Sequence, residues 1–114
     1  MLDKYQNILY LEKQNKNIKN IYTYYNIILN EKYSRDDRDN IVKMLESKYN
    51  IKTCIANEPT YNTHKYIKSN ADTESTELAN NIGGRIISLP IHFNMKNKDN
   101  KYIVRALIDC IRKI

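Results

Sequence analysis

The sequence predicts an α+β fold, a two-layer sandwich in which a short, mostly antiparallel sheet carries helices on one face. Short segments rich in β-branched and aromatic residues alternate with longer segments whose apolar residues recur every three or four positions. The 114 residues fit one compact domain. Because 41% of them are hydrophobic, the chain can form a core and does not have the composition of a disordered protein.

The beginning of the chain predicts a helix followed by a strand. Residues 2–19 space several apolar side chains as in a helix, although the second half of the segment is polar on every side. The segment 21–29, IYTYYNIIL, is dense in β-branched and aromatic residues and predicts a strand. We therefore divide the chain into an N-terminal helix or linker, residues 1–20, and a main domain, residues 21–114.

The middle of the chain predicts a helix with clear ends and a second strand. Residues 38–49 place their apolar side chains on one stripe of a helix. Ser34 is a suitable helix-capping residue before that stripe, and Asn50 is suited to a left-handed stop after it. The alternating segment 51–56, IKTCIA, predicts a strand.

The second half of the chain predicts a loop, a helix, a strand and a final helix. Residues 57–70 lack a periodic pattern and contain a proline, which indicates a loop. Acidic residues begin the next helix, and Gly83 and Gly84 end it. Residues 85–91 form a short apolar strand, and residues 98–114 carry one apolar stripe typical of an amphipathic helix.

Charge and cysteine content exclude several classes of protein. The net charge of +6 favours anionic partners, but the basic residues are scattered and do not form a run. Cys54 and Cys110 are too few for a disulfide framework, and no cysteine–histidine pattern suggests a metal site. No segment approaches the roughly 20 apolar residues that span a membrane. We therefore expect a cytoplasmic protein without membrane contact.

The strongest candidate for a binding site is the segment 57–66. Tyr61, His64 and Lys65 bring a phenol, an imidazole and an ammonium group together within five positions. An imidazole titrates near neutral pH, and a lysine offers a point charge to a phosphate. The alternative is an ordinary exposed loop whose tyrosines cover the edges of the core.

Arg85, which directly follows Gly83 and Gly84, is the second candidate. Glycines allow a close approach of the backbone, and an arginine binds carboxylate or phosphate groups. The alternative is a helix end followed by a surface arginine. No dinucleotide-binding pattern surrounds these residues, and the sequence offers neither a catalytic nucleophile–base pair nor a group of metal ligands.

From residue 21 to its end, the chain resembles the C-terminal region of the DegT/StrS family of sugar-nucleotide aminotransferases. Five ordered segments carry the resemblance: the strand 21–29, residues 38–42 with Arg38-Asp39 at a helix start, residues 45–53, the loop 59–64, and residues 86–92, IISLPIH. Asn50 stands where the family usually has glycine. The last segment, followed by a terminal amphipathic helix, is the most specific.

The resemblance implies the small domain of a fold-type I pyridoxal-phosphate enzyme, generally a homodimer. Such enzymes commonly transfer an amino group to a keto-sugar nucleotide, in nucleotide-sugar and polysaccharide biosynthesis. A lysine of the large domain holds the cofactor, so the resemblance implies that this chain binds no cofactor alone and is not catalytic alone. It also implies contacts between the sugar nucleotide and Tyr61, His64, Lys65 and Arg85.

Three functions are compatible with these observations. The first is a truncated or split aminotransferase, which requires a separate large-domain chain as its partner. The second is a non-catalytic module that binds a phosphorylated sugar or a protein. The third, which the scattered basic residues favour least, is a nucleic-acid-binding domain.

Overall fold

The computed structural model describes residues 1–11, 15–19, 21–56, 58–70 and 76–114. After a 3₁₀ turn at Asp3–Tyr5, the chain forms three strands and five helices within these ranges. The strands are β1 (Leu9–Leu11), β2 (Tyr25–Leu29) and β3 (Ile86–Leu89). The helices are α1 (Arg35–Tyr49), α2 (Thr60–Thr63), α3 (Lys65–Asn70), α4 (Glu77–Gly83) and α5 (Asn97–Ile111).

The three strands form one antiparallel sheet in the order β1-β2-β3. Leu9 pairs with Leu29, and Ile27 pairs with both Leu11 and Ile87, so these side chains share one face of the sheet. Leu9, Ile27, Leu29 and Ile87 are completely buried on that face. The α+β fold with an antiparallel sheet is confirmed.

Helices α1 and α5 pack on each other, and together with the inner face of the sheet they enclose the core. Their contribution comes from the apolar stripe of each helix. The buried residues of the two helices that join the core cluster are Ile41, Leu45, Ile103, Ala106, Leu107, Ile108, Cys110 and Ile111. The ends of the two helices are also connected, because the Tyr49 hydroxyl donates a hydrogen bond to Asp109.

Helix α1 begins and ends as the sequence predicts. The Ser34 hydroxyl accepts a hydrogen bond from the Asp37 backbone N–H at 3.2 Å, and the Ser34 N–H donates to the Asp37 carboxylate at 2.8 Å. This reciprocal arrangement satisfies two backbone groups at the helix start. Asn50 ends the helix in the left-handed conformation, with φ of 53°.

We expect Ser34→Ala to destabilise the domain by about 0.5–2 kcal/mol, because the helix loses its cap. The hydrogen bonds from the Ser34 N–H and hydroxyl hold the pKa of Asp37 below its ordinary value of 3.8. The stabilisation that they supply is therefore present above pH 4 and is lost as the pH falls through the lowered pKa. Urea unfolding of both proteins at a series of pH values from 7 downward measures both effects. A loss of stability that stays the same at every pH down to the point where the parent domain unfolds would contradict the assignment.

The predicted helix at residues 2–19 is wrong. Its described part contains the 3₁₀ turn and strand β1, because Leu9 and Leu11 alternate as in a strand and pair with β2. The spacing of the apolar residues fits both the period of a helix and the alternation of a strand. The pairing of β1 with a distant strand decides between the two. Residues 12–14 lie outside the described residues, and the boundary at residue 20 stays a prediction.

Two other predictions are corrected. The strand predicted at residues 51–56 is reduced to a single bridge, in which Cys54 and Ser88 exchange both backbone hydrogen bonds. The segment predicted as a loop at residues 57–70 contains the short helices α2 and α3. The strands predicted at 21–29 and 85–91 are shorter in the structure, as is the final helix. The start of the helix predicted before Gly83, at residues 71–75, lies outside the described residues.

No helix in the described part of the chain is long and apolar enough to cross a lipid bilayer. The outer face of the sheet, opposite the core, has mixed exposure. Tyr10 is exposed and Ile28 is half-buried, whereas Ile86 and Ser88 are buried. The outer face is therefore only partly open to solvent.

Candidate functional site

A buried arginine connects α1 to the segment between α4 and β3. The side chain of Arg38 is only 1% exposed, although it begins on the first turn of the helix. Its guanidinium donates to the Gly83 carbonyl at 3.1 Å and, less closely, to the Ile86 carbonyl at 3.4 Å. Its Nε donates to the Asp39 carboxylate at 2.7 Å. A buried charge needs such partners, because its desolvation is costly.

Glu58 joins this arginine to the segment that carries the predicted site. Its carboxylate forms an ion pair with Arg35 through one oxygen and lies 3.6 Å from an Arg38 nitrogen through the other. Glu58 is itself only partly exposed, so the interaction is less screened than a surface ion pair. The beginning of the segment 58–66 is therefore fixed to the N-terminal turn of α1.

Two of the predicted site residues, His64 and Lys65, are presented to solvent by the short helices that follow Glu58. Helix α2 ends at His64, whose N–H donates to the Thr60 carbonyl at 3.0 Å. The side chains of His64 and Lys65 are exposed. Tyr61 is half-buried, and its hydroxyl donates to the Thr76 carbonyl at 3.3 Å, at the start of α4.

Arg85 is bonded within the domain. Its side chain is 7% exposed, and two of its nitrogens donate to the Leu29 carbonyl and the Asn81 side chain. Its Nε is buried without a hydrogen-bond partner among the described residues. Arg85 also borders a polar cleft of about 340 Å³, which Arg35, Glu77 and Asn81 line as well.

The structure does not bring the four predicted residues together through direct contacts. Within the described ranges, no hydrogen bond or ion pair joins any two of Tyr61, His64, Lys65 and Arg85. Tyr61 contacts the start of α4 and Arg85 contacts its last turns, so that helix lies between them. The side chains open to a ligand are those of His64 and Lys65.

Sequence reasoning missed the anchoring roles of Arg35, Arg38 and Glu58. Arg38 was noted as part of a motif at a helix start, where a charged side chain is usually exposed. Its partners Glu58 and Gly83 lie 20 and 45 positions away along the chain. A local sequence pattern does not predict contacts over such separations. The one indication in the sequence is the position of the arginine, because Arg38 lies on the same side of the helix as Ile41 and Leu45, where an apolar residue is usual.

The described residues do not fit pyridoxal phosphate. A lysine that forms a Schiff base needs a lowered pKa, which burial or a neighbouring cation supplies. Every lysine side chain that the structure describes is exposed. The pKa of Lys48 is lowered by Lys113, but Lys48 lies on the surface near the Asp109 carboxylate. Nor do the described residues include a group of three side chains able to hold a metal ion.

The fold is that of a domain found in a much larger aminotransferase. The chain superimposes, with a TM-score of 0.71 and 21% sequence identity, on a solved structure assigned as a sugar aminotransferase from Streptococcus pneumoniae, in its PMP form. The match covers 79% of this chain and 22% of that structure's chain. This chain therefore spans about a fifth of the length of the structure that it matches. No curated protein matches it.

Residues 1–108 match the model of the DegT/DnrJ/EryC1/StrS aminotransferase family. The match covers nearly the whole chain, including the N-terminal residues before the first predicted strand. The chain belongs to the DegT/DnrJ/EryC1/StrS aminotransferase family. The resemblance that the sequence motifs indicate is confirmed.

Proposed function

We propose that this chain is the small C-terminal domain of a cytoplasmic sugar-nucleotide aminotransferase, separate from the large domain that holds the cofactor. In this proposal the chain is a truncated or split enzyme and does not transfer amino groups alone. The observation that carries the proposal is the absence of a buried lysine among the described residues of a chain that belongs to an aminotransferase family.

The small fraction of the matched structure that this chain covers supports the same proposal. A chain that covers 22% of that aminotransferase leaves most of its length without a counterpart here. Pyridoxal phosphate, when bound by the large domain, supplies the electron sink for amino transfer. This chain would contribute substrate contacts and the exclusion of water from one side of the cleft.

His64 and Lys65 are the residues that we propose for contact with the sugar nucleotide. Both side chains are exposed, and a diphosphate attracts an ammonium group and accepts hydrogen bonds from an imidazole. Tyr61 would contribute its ring, since its hydroxyl already donates to a backbone carbonyl. Arg85 would act through the polar cleft that it shares with Arg35, where its remaining hydrogen-bonding capacity is small.

The test is to purify the chain alone and together with a family large domain encoded by the same genome. Alone, we expect a folded chain that shows no pyridoxal-phosphate absorbance and no amino transfer. Together, we expect a complex that shows the cofactor absorbance and transfers an amino group to a keto-sugar nucleotide. The large domain alone is the control.

Two results would contradict the proposal. Saturable binding of pyridoxal phosphate to the chain alone, which borohydride reduction makes covalent at one lysine, would show that it holds its own cofactor. A well-folded chain that forms no complex with any family large domain of that genome would show that it is not half of a split enzyme.

A further inference from the structure

Residues 90–95, in the connection between β3 and α5, expose a large apolar side chain to water. Phe93 is the single phenylalanine of the sequence, and 95% of its surface is exposed. Ile91, two residues earlier, is 43% exposed. Burying an apolar side chain is favourable by about 1.5–3 kcal/mol, so leaving Phe93 in water gives up that stabilisation. We call residues 90–95 the β3–α5 loop.

Two clefts adjoin the β3–α5 loop. The two clefts have volumes of about 400 and 410 Å³, and both are lined by Pro90, His92, Met95 and Ile103. The first is predominantly apolar and lies at the end of the sheet, where Leu11 and Leu89 also line it. The loop therefore borders two depressions, which the side chains of another folded surface can fill.

The charge and shape around the loop distinguish among three occupants of this surface: a second copy of the chain, a lipid surface and another protein. The exposed cations Lys96 and Lys98 follow the loop directly, and the exposed His92 lies within it. Two copies of a chain with a net charge of +6 repel each other, which disfavours a second copy. A lipid surface would accept Phe93 but would leave the two clefts unfilled. A protein surface with an apolar pocket and an acidic rim matches the exposed Phe93, the clefts and the cations together.

We propose that the β3–α5 loop docks onto the large, cofactor-holding domain, with Phe93 inserted into an apolar pocket of that domain. This inference rests on the proposed function, because it places the partner of the split enzyme on a particular surface. The matched aminotransferase, in which this domain accounts for only 22% of the chain, supplies the argument for a protein partner. The aromatic side chain would be the anchor of the interface, as in other protein complexes.

The absence of tryptophan from the sequence allows a direct test. Phe93→Trp introduces a single indole at the tip of the loop, and the fold should tolerate it because Phe93 is not part of the core. We expect a blue shift of the fluorescence and protection from acrylamide quenching when the large domain is added. Leu78→Trp is the control, because Leu78 is 73% exposed on α4 and lines neither cleft.

A second variant measures the energetic role of the loop. We expect Phe93→Ser to raise the Kd of the complex at least about tenfold, whereas Leu78→Ser leaves it within about twofold. Both positions are exposed in the isolated chain, so circular dichroism and thermal unfolding should be unchanged in either variant.

Each other outcome overturns the proposal in a distinguishable way. If a complex forms without any change in fluorescence of the Phe93→Trp variant, the β3–α5 loop is not the docking surface, and the proposed function is unaffected. A fluorescence shift caused by anionic phosphatidylserine vesicles would assign the loop to a membrane, and a shift with increasing concentration of the chain alone would assign it to a second copy. Failure to form any complex would overturn both this inference and the proposed function.

Discussion

Replacing Arg38 by alanine should lower the free energy of unfolding by about 3–5 kcal/mol, a large part of the roughly 5–15 kcal/mol typical of a domain. The substitution leaves the Gly83 carbonyl and the Glu58 carboxylate without the buried cation that they contact. It also removes a large side chain that is only 1% exposed. Urea unfolding followed by circular dichroism measures the change.

The matched control is Arg105→Ala. Arg105 is exposed on α5 and forms no ion pair in the described part of the chain, so its loss should change the stability by no more than about 0.5 kcal/mol. Arg38→Lys should recover only part of the loss, since a lysine keeps the charge but not the several directed hydrogen bonds. Equal stability of the Arg38 and Arg105 variants would show that the buried contacts do not hold α1 to the rest of the domain.

Leu107→Ala is expected to destabilise the domain by about 2–5 kcal/mol. Leu107 is completely buried on α5, in the same core cluster as Leu45 of α1 and Ile27 of the sheet. Truncation removes apolar contact area and leaves a cavity that close-packed neighbours fill only in part. Thermal or urea unfolding measures the loss.

The control for Leu107 is the same substitution at an exposed position. Leu78 is 73% exposed on α4, so Leu78→Ala should change the free energy of unfolding by less than about 0.5 kcal/mol. A small effect at Leu107 would mean that α5 is not packed in the core as described. The buried stripe of α5 would then need another explanation.

The parts of the fold that local chemistry decides could be predicted from the sequence. Ser34 and Asn50 mark the ends of α1 because a hydroxyl cap and a left-handed asparagine act within one helical turn. The apolar stripe of α5 can likewise be predicted from the regular spacing of its apolar residues. In contrast, β1 exists because Leu9 pairs with Leu29, twenty positions later, and a local pattern does not contain that information.

The arrangement of the four predicted site residues could not be read from the sequence, and their role in binding stays a prediction. The exposure of His64 and Lys65 agrees with a role in contacting a ligand, which stays a prediction. Arg85 follows a helix end, where an arginine is usually exposed. In the structure its side chain is buried and donates a hydrogen bond to the Leu29 carbonyl. Its position depends on the packing of β2 against β3, which only the three-dimensional structure defines.

The anchor at Glu58 also bears on how the family can diverge. Between Lys52 and Ile82, the residues that the structure describes contribute no buried apolar side chain to the core. Substitutions at the described exposed residues between Glu58 and Ile82 are therefore expected to cost less folding stability than substitutions in the core, while the Glu58 carboxylate keeps the start of the segment attached to α1. The exposed positions of such a segment can change in composition during evolution without any redesign of the core beneath it.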